Sequence, residues 1–185
     1  MKLDLHAPRL AVPVTENDHA QGPPDAPVTL VEYGDYECPY CGRAHPLVQE
    51  LRRRLGDRLR FVFRNFPLNT IHQHAGVAAQ AAEAAGVQGK FWEMHDLLYD
   101  HQSDLADADL QSYALKLELE PYQFSADLSS ERFAKRVRED FRGGVRSGVN
   151  GTPTFFINGT RYNGPHELAA MLEAIEAAAR QDNVG

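Results

Sequence analysis

Cys38 and Cys41 are the only two cysteines in this 185-residue chain, and Pro39-Tyr40 alone separates them. Thiols at this spacing can exchange electrons as a dithiol and disulfide when one helical turn presents both sulfurs, and a helix N-terminus provides that turn. The same pair can also be half of a tetrahedral zinc site, which needs two further ligands. There is no second cysteine pair, although His45 beyond Cys41, and His72 with His74, leave a Cys2His2 set open on composition. A purely structural disulfide is the poorest reading, because so short a loop takes little freedom from the unfolded chain.

The flanking elements favour redox chemistry. Val28-Thr29-Leu30-Val31-Glu32-Tyr33 is β-branched and mostly apolar, as a buried parallel strand is, and Gly34-Asp35 breaks it. Pro39 has its φ pre-set and no N–H to lose, so it suits the first helical position and puts Cys38 at the N-cap. Unpaired backbone N–H groups and the positive end of the helix dipole there favour thiolate over thiol. Cys38 is therefore the expected nucleophile. Cys41, one turn deeper, is the expected resolving thiol.

Leu47, Val48, Leu51 and Leu55 continue that helix to a stop at Gly56-Asp57, with Pro46 inside it expected to kink it. Leu59 to Phe66 reads as a second strand, parallel to the first if the crossover is right-handed. From Thr70 to about Gly148 helix follows helix: Ala75 to Ala85, Phe91 to His101, Leu105 to Leu119, a short one from Pro121, and one capped by Ser130 that ends at Gly143-Gly144. Thr154 to Ile157, Asn158-Gly159 and Thr160 to Tyr162 form a hairpin with type I′ turn residues. Pro165 should open the last helix. His72, His74 and His95 read as packing or helix-end residues, and Ala11 to Val14 as a short edge strand.

The chain length fits one folded body with a sizeable core. A net charge of -7 argues against nucleic-acid or anionic-membrane partners, and Arg52-Arg53-Arg54 reads as the solvated end of a helix. Residues 1–27 hold no apolar run of signal-peptide or membrane-span length, so a cytoplasmic location is expected.

Two distant motifs in order, Val31-Glu32-Tyr33-Gly34-Asp35-Tyr36-Glu37-Cys38-Pro39-Tyr40-Cys41-Gly42 and Gly148-Val149-Asn150-Gly151-Thr152-Pro153-Thr154-Phe155-Phe156-Ile157-Asn158-Gly159, resemble the DsbA-type branch of the thioredoxin-fold disulfide oxidoreductases. Gln88 to His95 adds to the likeness, which runs from Pro27 to the final helix. The resemblance implies an α/β, thioredoxin-like fold with an all-helical insertion between the second strand and the C-terminal hairpin. Residues 1–27 would be an N-terminal extension, 28–69 and 149–185 the thioredoxin-like domain, and 70–148 the insertion. It implies a protein-disulfide oxidoreductase that acts on cysteine-containing proteins or peptides and is recycled by a redox partner. It would need no metal and no cofactor beyond a redox-active Cys38–Cys41 disulfide.

The resemblance also assigns roles. The proline matching Pro153 is cis in the family and lies beside the CxxC, and a cis X–Pro bond is accessible at low cost. Thr152 would then offer its backbone to an extended substrate by strand addition. Glu32 matches the family's buried acid beneath the active site; burial should raise its pKa and make it a proton acceptor for Cys41. Strongly oxidising members carry His between their cysteines, whereas Pro39 and Tyr40 supply no charge, and Cys-Pro-Tyr-Cys is the glutaredoxin sequence. With Glu37 opposing the thiolate, a less oxidising disulfide is expected, within a family spread of about 150 mV. Three alternatives stay open: a glutathione-dependent disulfide reductase, a metal-binding module using Cys38, Cys41 and His45 or His72, and a binding domain with a vestigial CxxC.

Overall fold

Val28–Gly34 and Leu59–Asn65 are nearly continuous runs of β-branched and aromatic residues, and both become strands buried along most of their length. In this computed structural model, which describes residues 8–130 and 132–182, they are β2 and β3, at the centre of a mixed five-stranded sheet of order β1-β3-β2-β4-β5. The helix α1, Pro39–Leu55, connects them. The edge strand β1, His19–Gln21, runs antiparallel to β3, and β4, Thr154–Ile157, runs antiparallel to β2. Asn158 and Gly159 adopt positive φ angles of 45° and 76° and turn β4 into β5, Thr160–Tyr162. Asn158 also accepts the Thr29 N–H at 2.7 Å, which pins the hairpin to β2. The sheet closes with α7, Leu168–Asp182.

Among the described residues, five helices lie between β3 and β4: α2 Ala75–Gly86, α3 Phe91–Asp100, α4 Asp107–Lys116, α5 Pro121–Ser129 and α6 Ala134–Arg146. Alanines at 75, 78, 79, 81, 82, 84 and 85 are all buried, because α2 packs against α3, α4 and α5 and only a methyl group leaves room for neighbours on so many sides. The chain divides into two compact units. Among the described residues, one comprises those up to Tyr33, Arg43–Arg64 and those from Gly143; the other comprises Gly34–Gly42 and those from Asn65 to Arg142. In the first, Leu30, Phe61, Phe63, Phe155, Phe156 and Met171 are fully buried; in the second, Phe66, Met94, Leu98, Leu110 and Phe124 are. Among the described residues no helix is long and apolar enough to cross a membrane.

Several boundaries differ from expectation for identifiable reasons. The edge strand is His19–Gln21 rather than Ala11 to Val14, because the Val12 and Pro13 carbonyls accept hydrogen bonds from the buried Arg64 guanidinium at 2.9 Å each. Arg64 also pairs with Asp18 at 2.7 and 3.0 Å and with the Tyr33 hydroxyl at 3.0 Å. Burial opposes the Arg64 charge, but the hydrogen bonds and charges of Asp18 and Tyr33 outweigh it and raise its pKa further. Ser130 closes α5 instead of opening α6, its N–H donating to the Ala126 carbonyl. Helix α6 continues through Gly143-Gly144 to Arg146, and the left-handed turn comes only at Gly148, with φ of 78°. The last helix opens at Leu168 and not at Pro165, whose carbonyl accepts the Tyr162 hydroxyl at 2.8 Å. Pro46 lies inside α1.

Candidate active site

Helix α1 begins at Pro39, so Cys38 stands at its N-cap and Cys41 in its first turn. The two stand as separate thiols. Both are buried, Cys38 exposing 3% of its surface and Cys41 none, which leaves Cys38 the more accessible residue. Tyr40 projects outward at 63% exposure, and Pro39 is exposed beside it.

One residue organises the loop that presents the sulfurs. The Asp35 carbonyl accepts the Cys38 N–H at 3.2 Å, and the Asp35 N–H donates to Cys41 Sγ at 3.5 Å. Its carboxylate, with no exposed side-chain surface, accepts the Glu37 N–H on Oδ1 and the Leu68 N–H on Oδ2, each at 2.8 Å. Oδ2 also lies 2.8 Å from His72 Nδ1. A carboxylate can only accept, so Nδ1 of His72 carries the proton. Burial works against a charge on His72. The hydrogen bond and charge of Asp35, with Cys38 and Glu37 nearby, more than offset it and raise the imidazole above its ordinary pKa.

A second pair stands alongside. Glu37 accepts the His74 N–H on Oε2 at 2.5 Å and faces His74 Nδ1 from Oε1 at 3.2 Å, and His74 is the N-cap residue of α2. Acid-x-acid at positions 35 and 37 thus meets His-x-His at positions 72 and 74. Gln102 completes the frame by donating Nε2 to the carbonyls of Tyr36 and Cys38 at 2.7 and 2.9 Å. A Cβ at Gly42 would run into the Gln102 carboxamide, so a larger residue there would require Gln102 to shift. The Tyr36 hydroxyl meets His95 Nδ1 at 3.0 Å, and His95 is packed among the rings of Tyr36, Phe91, Trp92 and Tyr99.

His95 and His74 therefore fit the reading as packing and helix-end residues, and His72 does not. Asp35 and Gln102 were not singled out from sequence. The paired spacing of acids and histidines was the available signal for the first; nothing local marks Gln102. No cluster of potential metal ligands among the described residues includes Cys38 or Cys41.

The remaining sequence-derived positions lie in the sheet unit. Glu32 is in β2, buried, with Phe155 of β4 opposite it. Tyr33 is paired with Thr154, so the half-buried Thr152-Pro153, joined by a cis peptide bond, adjoins the C-terminal end of β2. The Thr154 hydroxyl donates to the Gly151 carbonyl at 2.7 Å.

A family model described as thioredoxin matches residues 14–177. A protein named Na(+)/H(+) antiporter NhaA 1 from Salinispora arenicola is 51% identical over 170 residues, covering 91% of this chain and 26% of its own length. The chain spans about a quarter of the length of the curated relatives it matches. Among solved structures, oxidised BdbD from Bacillus subtilis superposes with a TM-score of 0.81 at 25% identity, covering 94% of this chain and 97% of its own. A thioredoxin-like oxidoreductase from Silicibacter pomeroyi DSS-3 superposes with a TM-score of 0.80 at 28% identity, covering 90% and 94%.

Proposed function

This chain belongs to the thioredoxin family, within its DsbA-type thiol-disulfide oxidoreductases, and on that premise we propose that Cys38 and Cys41 exchange disulfides with cysteine-containing proteins or peptides. The observation that carries this reading is the N-cap position of Cys38, with Cys41 one turn on and the Asp35 backbone bonded to both residues. In the reductive direction the Cys38 thiolate attacks a substrate disulfide. A Cys38–substrate disulfide forms, and the departing substrate sulfur takes the electron pair and then a proton. Cys41 loses its proton, for which Glu32 is the proposed acceptor, and its thiolate attacks Cys38 sulfur. The mixed disulfide breaks, the second substrate thiol leaves, and the enzyme has lost two electrons to the substrate. Oxidation of a substrate dithiol runs the same steps backwards from the Cys38–Cys41 disulfide, with a recycling thiol or disulfide partner restoring the starting state. Thr152, at the entry to β4, is the proposed backbone contact for an extended substrate.

Insulin-disulfide reduction tests the assignment. Cys38→Ser should abolish turnover, and Cys41→Ser should accumulate a mixed disulfide at Cys38. Normal turnover in Cys38→Ser would overturn it. Supplying glutathione alone, or thioredoxin reductase, as the recycling system distinguishes the glutathione-dependent alternative.

A second reading is favoured by the 51% identity to a relative named as a Na(+)/H(+) antiporter: the exchange centre works beside an antiport unit and its redox state sets the transport rate. Sodium-driven proton flux in vesicles holding the Salinispora arenicola relative should differ between its oxidised and reduced forms. Identical flux in the two forms sinks this reading.

A further inference from the structure

Two carboxylates, Asp35 and Glu37, precede Cys38, and each opposes a negative sulfur. The dipeptide between the cysteines, Pro39-Tyr40, brings no charge to offset them. For Asp35 the offset is His72, in the segment before α2. His72 Nδ1 donates to Asp35 Oδ2 at 2.8 Å, and His74 engages Glu37 through its backbone N–H and its ring. Asp35 cannot turn away from His72, because the Leu68 and Glu37 N–H groups hold its two oxygens and its side chain is fully enclosed. The same residue is bonded through its backbone to Cys38 N and Cys41 Sγ. The charged groups facing His72 are Asp35, Cys38 and Glu37, all negative when ionised.

We propose that His72, oriented by Asp35, is the cationic partner of the Cys38 thiolate and a positioning residue for disulfide exchange, in place of a cation between the cysteines. The inference rests on the reading of Cys38 as the nucleophile. Loss of the Cys38 proton to solvent leaves a thiolate next to a His72–Asp35 pair whose charges cancel, rather than next to an uncompensated buried carboxylate. No electrons move in that step. The thiolate belongs to the reduced enzyme, so stabilising it draws the equilibrium between enzyme disulfide plus two glutathione thiols and enzyme dithiol plus glutathione disulfide toward the dithiol. The centre is then more oxidising than Cys-Pro-Tyr-Cys suggests by itself.

The experiment measures the glutathione equilibrium and the thiolate ultraviolet titration of the full chain. His72→Asn should shift the glutathione equilibrium about tenfold toward the enzyme disulfide, which is about 30 mV. It should also lower the thiolate fraction near neutral pH by a similar factor. His72→Lys, which keeps a cation, should recover most of both. A measurement on the unaltered protein covers the case in which a variant does not fold. The His72 ring, titrated by nuclear magnetic resonance, should hold its proton to higher pH in the reduced than in the oxidised protein, because coupling between two titrating groups is mutual. If the unaltered protein exchanges disulfides and His72 titrates identically in both redox states, the proposal is overturned and the nucleophile assignment stands. If it neither reduces insulin nor equilibrates with glutathione, both fall together.

Discussion

At the scale of single residues, Asp35 orders the candidate site, and its effect on His72 has a pH signature. The folded-state affinity of His72 for its proton is raised: burial lowers it, but the Asp35 hydrogen bond and charge prevail. The stabilisation is therefore complete below the unfolded value near 6.5 and is lost as pH rises through the higher folded value. His166 titrates with the opposite sign, because burial pushes its pKa down; its ring packs edge-on against Phe155 at 5.1 Å. Subtracting His72→Asn from the unaltered protein removes that background. The difference in urea midpoint between the two should be widest below about pH 6.5 and should narrow toward alkaline pH. A difference that is constant from acid to alkaline pH would show that the charge on His72 contributes nothing to stability.

At the scale of elements, the stretch before β2 is fastened by a charge rather than by apolar burial. Arg64 of β3 and Asp18 expose only 4% and 6% of their side chains, so neither charge is rehydrated if its partner goes. Removing one partner of such a pair costs about 3–5 kcal/mol, because the other charge is left buried and uncompensated. Asp18→Ala should lower unfolding free energy by that amount in chemical denaturation, and Asp18→Ala with Arg64→Met should recover much of it. A loss under about 1 kcal/mol, the range of exposed pairs, would mean that water reaches Arg64. Gly22, at φ 93°, belongs to the same fastening: a Cβ there would lie 2.2 Å from the Leu59 carbonyl oxygen. The path of this segment was not legible in sequence. Ala11 to Val14 has strand-like residues, but the Val12 and Pro13 carbonyls are committed to Arg64, which is 52 positions from Val12.

At the scale of the whole molecule, a folded state that favours the dithiol must itself be favoured by the dithiol. Folding and disulfide reduction form a thermodynamic cycle, so each tenfold preference for the reduced state adds about 1.4 kcal/mol to its stability. In a chain of this size that is about 3–6 °C in melting temperature. His72→Asn should therefore lower the melting temperature of the reduced protein by more than that of the oxidised one at neutral pH. Equal losses in the two redox forms would mean that His72 favours neither of them.

What was legible in the sequence was decided by local physics. Pro39 lacks an N–H and carries a fixed φ, so the start of α1 and the N-cap place of Cys38 follow without knowledge of the rest of the chain. Asn158-Gly159 tolerates two consecutive positive φ angles, so the hairpin follows in the same way. Gly143-Gly144 looked like a helix stop and is not one, since glycine weakens a helix by only about 1 kcal/mol and packing can override that. Tertiary structure alone decided the electrostatics around Cys38. His72 and His74 reach Asp35 and Glu37 across 37 residues of chain, and no local propensity encodes a pairing at that separation. The proposed exchange reaction is thus legible in the dipeptide spacing and its helix start. The charge balance that sets how readily Cys38 ionises depends on which side chains folding brings beside it, because Coulomb forces act through space and not along the chain.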